Sequence, residues 1–216
     1  MSTPCKGRPT LQFNTTNTTQ NSVSFFQASK SLVRITQVLD ATCAANMTFC
    51  TTYLNNIAAN LTTSANCGSE YATLNPIVTS ARIGLIAYKP MYQASCLKNP
   101  STSSYCYADA ITNSSSFSDS YIYDLALNES LIGGARPTCN ACLQNTMAVL
   151  DANAANRSQP ISNTYISAAN MINAQCGPGF VNATLPTAIV SSAGSIYFPG
   201  TASLLALVLC VGTWLL

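Results

Sequence analysis

The chain has 216 residues, room for one ordinary domain or two small ones, and its nine Lys/Arg and seven Asp/Glu leave a net charge of +2. That balance lacks the dense basic footprint of a nucleic-acid binder, and 48 % hydrophobic residues exclude the compositional signature of disorder. There is no histidine, which removes imidazole acid–base catalysis, imidazole metal sites and the Ser-His and Cys-His nucleophile pairs.

Residues 1–23 are polar and read as a flexible N-terminal arm with two glycosylation sequons, at Asn14 and Asn17. They lack the apolar run of a leader, so the true N-terminus is expected to lie upstream. Residues 24–181 form the expected folded domain. Phe25, Ala28, Leu32, Ile35 and Leu39 recur at three- and four-residue spacing and predict a first helix over 25–41. Lys30 and Arg34 then fall on its solvent face. Met47, Cys50, Leu54, Ile57 and Leu61 predict a second helix over 45–61. Asn75-Pro76 marks a third start, with Asn as cap and Pro in the first turn, and Pro90 interrupts the pattern.

The character changes over 96–127. Tyr105, Tyr107 and Ile111, then Tyr121, Tyr123, Leu125 and Leu127, alternate with period two. They predict two strands of a small antiparallel ribbon joined by the polar loop 113–120. The four tyrosines suit core packing against the helices, with a sugar-stacking platform as the alternative. Arg136-Pro137-Thr138 opens a fourth helix, carrying Cys142, Met147, Leu150 and Ala154. Gln159-Pro160 opens a fifth, carrying Ile161, Tyr165, Ala168, Ile172 and Cys176, and Gly177-Pro178-Gly179 ends it. The expected fold is mainly α: a disulfide-stapled bundle of about five helices with one β-ribbon.

Residues 182–200 are rich in Ser, Thr and Ala and read as a stalk. Residues 201–216 carry no charge and stop at the last residue without a basic flank. Small residues, a spacer and a terminal apolar tail form the attachment signal for a glycosylphosphatidylinositol (GPI) anchor. Ser191, Ser192 and Gly194 are the expected attachment positions.

Ser, Thr and Asn fill 69 positions and create eight Asn-x-Ser/Thr sequons, at Asn14, Asn17, Asn46, Asn60, Asn113, Asn128, Asn156 and Asn182. Glycans there would supply the solubility that so few charges do not. Ten cysteines point to an oxidising compartment. Cys5 lies in the arm and Cys210 in the tail. Cys43, Cys50, Cys67, Cys96, Cys106, Cys139, Cys142 and Cys176 remain, an even set for four disulfides. A short connection between helices four and five implies an antiparallel pair. The end of the fifth helix then returns to the start of the fourth, so Cys176 is expected to bond Cys139 or Cys142.

Several blocks, SFFQASKSLVRITQVLDATC (24–43), CLKNPSTSSYCYADAITNSSS (96–116), DSYIYDLAL (119–127), GGARPTCNACLQNTMAVL (133–150) and QPISNTYISAANMINAQCGPGFVNAT (159–184), resemble an uncharacterised family of fungal secreted, cysteine-rich proteins. The resemblance implies a domain of unknown function set between a leader and a Ser-rich stalk with a GPI-type tail. It implies no catalytic residues.

Cys139-x-x-Cys142 could be a redox pair, but no βαβ pattern surrounds it, and zinc would need further ligands. Structural disulfides are expected instead. Asp109, Asp119, Asp124 and Glu129 gather around the ribbon, and two facing carboxylates are what a glycosidase requires. The expectation is a GPI-anchored, N-glycosylated protein of the cell surface or wall. Its role is structural or interactive, without enzymatic activity, metal or cofactor, and its partner is the membrane through the lipid anchor. The alternative is a carbohydrate-binding or carbohydrate-active protein acting on wall polysaccharide.

Overall fold

A computed structural model describes residues 22–189. Within them the chain is helical: α1 (Ser22–Ala28), α2 (Leu32–Cys43), α3 (Met47–Leu61), α4 (Gly68–Ala72), α5 (Pro76–Ile86), α6 (Tyr88–Ser95), α7 (Cys106–Thr112), α8 (Tyr121–Asp124), α9 (Ala141–Ala154) and α10 (Ile161–Cys176). Two 3₁₀ turns, Phe117–Asp119 and Leu125–Leu127, flank α8. No described helix is long and apolar enough to cross a membrane.

Asparagine side chains start three of the helices. The Asn46 oxygen accepts from the Phe49 N–H at α3, and Asn140 accepts from the Leu143 N–H at α9. Asn75 accepts from the Ile77 and Val78 N–H groups at α5, with Pro76 as the first helical residue. Each cap satisfies donors that have no intrahelical partner.

The helix expected over 25–41 is two helices. Ser31 is extended, at φ −136° and ψ 121°, and its carbonyl accepts the Ile35 N–H that begins α2. Ser29 turns its hydroxyl onto the Phe26 carbonyl, a local bond that competes with helix continuation. The chain also breaks earlier than Pro90, at Ala87. Pro90 sits in the first turn of α6, where a missing N–H has no helical acceptor to serve.

The expected β-ribbon is absent. Among the described residues there are no strands, and two isolated bridges, Lys98 with Tyr105 and Asn156 with Ile189, are the only β-type pairs. Ile122, Leu125 and Ala126 are the buried residues of the second segment, alongside Tyr123. Their three- and four-residue spacing is helical, and the alternation of Tyr121, Tyr123, Leu125 and Leu127 overlay it.

The main core packs α8, α9 and α10 around Met147, Leu150, Ile161, Tyr165, Ala168 and Ile172. A second cluster joins α3 to α6 through Cys50, Tyr53, Leu54 and Tyr88, and a third joins α2 to α7 through Ile35, Leu39, Tyr105 and Ala108. Tyr105 donates its hydroxyl to the Asp40 carboxylate at 2.9 Å. The Lys98 ammonium lies 3.0 Å from the centre of the Tyr105 ring.

Disulfides join these clusters. Cys43–Cys96 ties the end of α2 to the end of α6, Cys106–Cys142 ties α7 to α9, and Cys139–Cys176 closes the α9–α10 hairpin. Their Cα–Cα distances of 5.4–5.7 Å lie in the ordinary disulfide range. Cys50 and Cys67 are disulfide-bonded as well.

After α10 the chain turns at Gly177, whose φ of +108° suits a residue without Cβ. It then runs back along the hairpin. Asn173 brackets Val181 with two hydrogen bonds, Tyr165 donates to the Asn182 carbonyl at 2.6 Å, and the Arg157 guanidinium holds the Pro186 carbonyl. The Ile189 N–H reaches the Ala155 carbonyl beside the α9–α10 turn.

Candidate functional site

The polar cavity most closely tied to the expected chemistry lies between α7, the 113–119 loop, the segment 137–140 and α9, with a volume of about 90 Å³. It brings Asp109 and Asp119 into one lining with Asn99, Asn113, Thr138 and Asn140. Ile122, Tyr123, Leu143 and Thr146 supply its buried side. The space is small beside the roughly 300–1,000 Å³ of ordinary ligand pockets.

Asp109 lies in the first turn of α7. Its carboxylate accepts from the Ser104 hydroxyl, at 2.6 and 2.8 Å to its two oxygens, and from the Asn99 amide at 3.0 Å. These bonds pin the 99–104 loop, whose Asn99 N–H also reaches the Ser104 carbonyl.

Asp119 has more partners. It accepts from the Asn113 amide at 2.7 Å, the Ser116 hydroxyl at 2.9 Å, the Thr138 N–H at 2.6 Å and the Thr138 hydroxyl at 2.9 Å. One carboxylate thus gathers its own loop and ties it to the entry of α9. Both acids act as acceptors for neutral donors, which fits loop-holding better than proton transfer.

The other two acids of the expected cluster are not in this lining. Burial raises the Asp124 carboxyl above its ordinary value, and the Glu129 charge adds to the rise. Tyr107 and Tyr123 pack edge to face, with ring centres 4.7 Å apart. Burial pushes the Tyr107 hydroxyl up to about 12, with the Asp124 charge as a second cause, and burial raises Tyr123 further. Tyr105 and Tyr123 are buried rather than displayed. Tyr107 and Tyr121 are half-buried and pack on the main core.

Cys139 and Cys142 are bonded to different partners, Cys176 and Cys106. The two sulfurs of the motif therefore serve separate bridges, an arrangement unlike a redox dithiol. Among the described residues no three His, Cys, Asp or Glu side chains are placed to hold a metal ion.

Six sequons fall within the described residues. Asn46, Asn60, Asn128 and Asn182 are exposed, while Asn113 and Asn156 are half-buried. Asn46 and Asn60 sit at the two ends of α3, and Asn128 is left-handed, at φ +68°, after the 125–127 turn. Asn14, Asn17, Ser191, Ser192, Gly194, Cys5 and Cys210 lie outside the described residues.

The residues that hold the site were not singled out from the sequence. Asn99, Ser104 and Thr138 make the side-chain bonds to Asp109 and Asp119. Asn99-Pro100 carried a turn signal. The others are ordinary polar residues whose partners become visible with the fold.

Searches of curated proteins and of solved structures each find nothing that matches the chain. A family model does match, over residues 15–185, and it spans both acids, all six described sequons and all eight cysteines of the folded region. The chain belongs to this family, the domain of unknown function DUF7729.

Proposed function

We propose that this chain is an N-glycosylated protein of the cell surface or wall, held by a GPI anchor, with a structural or interaction role and no catalytic activity of its own. The observation that supports it most is the oxidised state of the cysteines. Cys43, Cys50, Cys67, Cys96, Cys106, Cys139, Cys142 and Cys176 are all in disulfides. Such bonds persist in oxidising compartments. The eight sequons and the uncharged C-terminal run add the glycan and the anchor to that reading.

The cavity between Asp109 and Asp119 is where a carbohydrate-active alternative would have to reside. Its small volume and the neutral donors on both carboxylates argue against turnover there. Phospholipase C specific for inositol lipids tests the anchor. Treatment of intact cells is expected to move the protein from the membrane fraction into the medium. Retention on membranes, while a known GPI-anchored protein is released in the same sample, contradicts the anchor.

A further inference from the structure

The six described sequons are not equivalent as acceptors. N-glycosylation joins the asparagine Nδ2 to the first sugar carbon. The C–O bond from that carbon to a lipid-linked diphosphate donor breaks, and Nδ2 gives up one proton. The folded glycoprotein must therefore leave room for the sugar at Nδ2, and only one Nδ2 proton remains to donate.

Three asparagines meet this condition in the same way. Each is exposed, and each carboxamide is fastened by its oxygen. The Asn46 oxygen accepts from the Phe49 N–H at 3.0 Å, the Asn60 oxygen from the Asn66 amide at 2.9 Å, and the Asn128 oxygen from the Asn163 amide at 2.9 Å. A carboxamide held by its oxygen directs its nitrogen away from the holding group. None of these three Nδ2 atoms donates a hydrogen bond among the described residues.

Asn156 also holds its partner, Ser158, by its oxygen but is half-buried, so it falls in neither group, while two others are fastened by the nitrogen itself. The Asn113 Nδ2 donates to Asp119 at 2.7 Å from the half-buried wall of the polar cavity, where a sugar ring has no room. The Asn182 Nδ2 donates twice, to Asp151 at 2.8 Å and to the Thr184 carbonyl at 3.1 Å, so both of its protons are engaged. Its oxygen also holds the Thr184 N–H and hydroxyl.

We infer that Asn46, Asn60 and Asn128 are glycan acceptors of the folded domain, and that Asn113 and Asn182 are internal brackets that stay unmodified. This rests on the secretory reading above and deepens it from a sequon count to an assignment. The glycans then stand at both ends of α3 and after the 125–127 turn, on residues outside the cavity lining.

The test is site mapping on the full chain purified from a secretory host. Peptide-N-glycosidase in heavy-oxygen water converts each occupied asparagine to a labelled aspartate, read by mass spectrometry. Label is expected in most copies at Asn46, Asn60 and Asn128 and in essentially none at Asn113 and Asn182. Label at Asn113 or Asn182, or its absence from any of the three, overturns the assignment while leaving the secretory reading intact. A chain with no label at any sequon and with reduced cysteines overturns the secretory reading itself. Substitution gives an independent check. Asn60→Gln should remove one glycan and leave the melting temperature unchanged. Asn113→Gln should lower the melting temperature and leave the glycan mass unchanged. The reverse pattern contradicts the assignment.

Discussion

Asp119 organises more of this molecule than its place in a Ser-rich loop suggests. Its carboxylate accepts from Asn113, Ser116 and both donors of Thr138. Asp119→Ala leaves those donors without their acceptor, and is expected to lower stability by about 2–3 kcal/mol, read by urea unfolding of the oxidised protein. Asp124 works in the opposite direction. Its carboxyl is raised, first by burial and then by Glu129, so the folded state binds the proton more tightly than the unfolded chain does. Stability from this group therefore falls as pH rises through the range just above the ordinary carboxylate value of 3.8. The buried tyrosines set the alkaline limit by the same logic. Burial pushes Tyr88, Tyr105 and Tyr107 from 10.0 up to about 12, with Tyr92, Asp40 and Asp124 respectively adding to the rise. A raised acid favours the protonated fold, so this stability is fully present below pH 10 and is lost as pH rises from 10 through about 12. Tyrosinate absorbance from these residues is expected to rise together with loss of the helical circular-dichroism signal. Ionisation well before the helices melt would contradict their burial.

At the scale of elements, the α9–α10 hairpin carries the largest share of the core, and Cys139–Cys176 closes it across a sequence separation of 37. The double substitution Cys139→Ser with Cys176→Ser is expected to lower stability by about 3–4 kcal/mol on the chain-entropy account. Chemical denaturation measures it, and an unchanged midpoint would show that the bridge does not constrain the hairpin. This hairpin was legible in the sequence because capping chemistry and periodicity agree there. The Ile161, Tyr165, Ala168 and Ile172 stripe lies on one face of α10 and Gly177 ends it, whereas α9 starts at Ala141, capped by Asn140, rather than at Arg136-Pro137-Thr138. α5 was equally legible from Asn75-Pro76. The segment 121–127 was not, because the period-two run of Tyr121, Tyr123, Leu125 and Leu127 hides the helical spacing by which Ile122, Leu125 and Ala126 are buried with Tyr123. Ser29 and Ser31 likewise split a stripe that apolar spacing alone carries through as one helix. At the site, the acids were visible but their role was not. The Thr138 donors that bind Asp119 lie 19 residues away in sequence, and the Asn99 amide that binds Asp109 lies 10 away.

The described residues form one main core and two small apolar clusters, joined by covalent bridges. The α3–α6 and α2–α7 clusters contain four buried residues each, and Cys43–Cys96 ties the two together at the ends of α2 and α6. Tyr92 reinforces that junction by donating to the Cys43 carbonyl at 2.6 Å, with the Ala45 carbonyl at 3.0 Å. Clusters of this size need cross-links to stay assembled, as other domains with modest cores do. The assembly of these clusters therefore depends on the oxidation state of the natural protein. The direct measurement is to trap thiols with an alkylating agent as cells are lysed, then map the protein by non-reducing peptide mass spectrometry. No alkylated cysteine is expected among the eight of the folded region, with linked peptides for Cys43–Cys96, Cys106–Cys142 and Cys139–Cys176. Alkylated Cys139 and Cys142 in most copies, or a Cys139–Cys142 linkage, would contradict both the fold and the extracellular setting built on it.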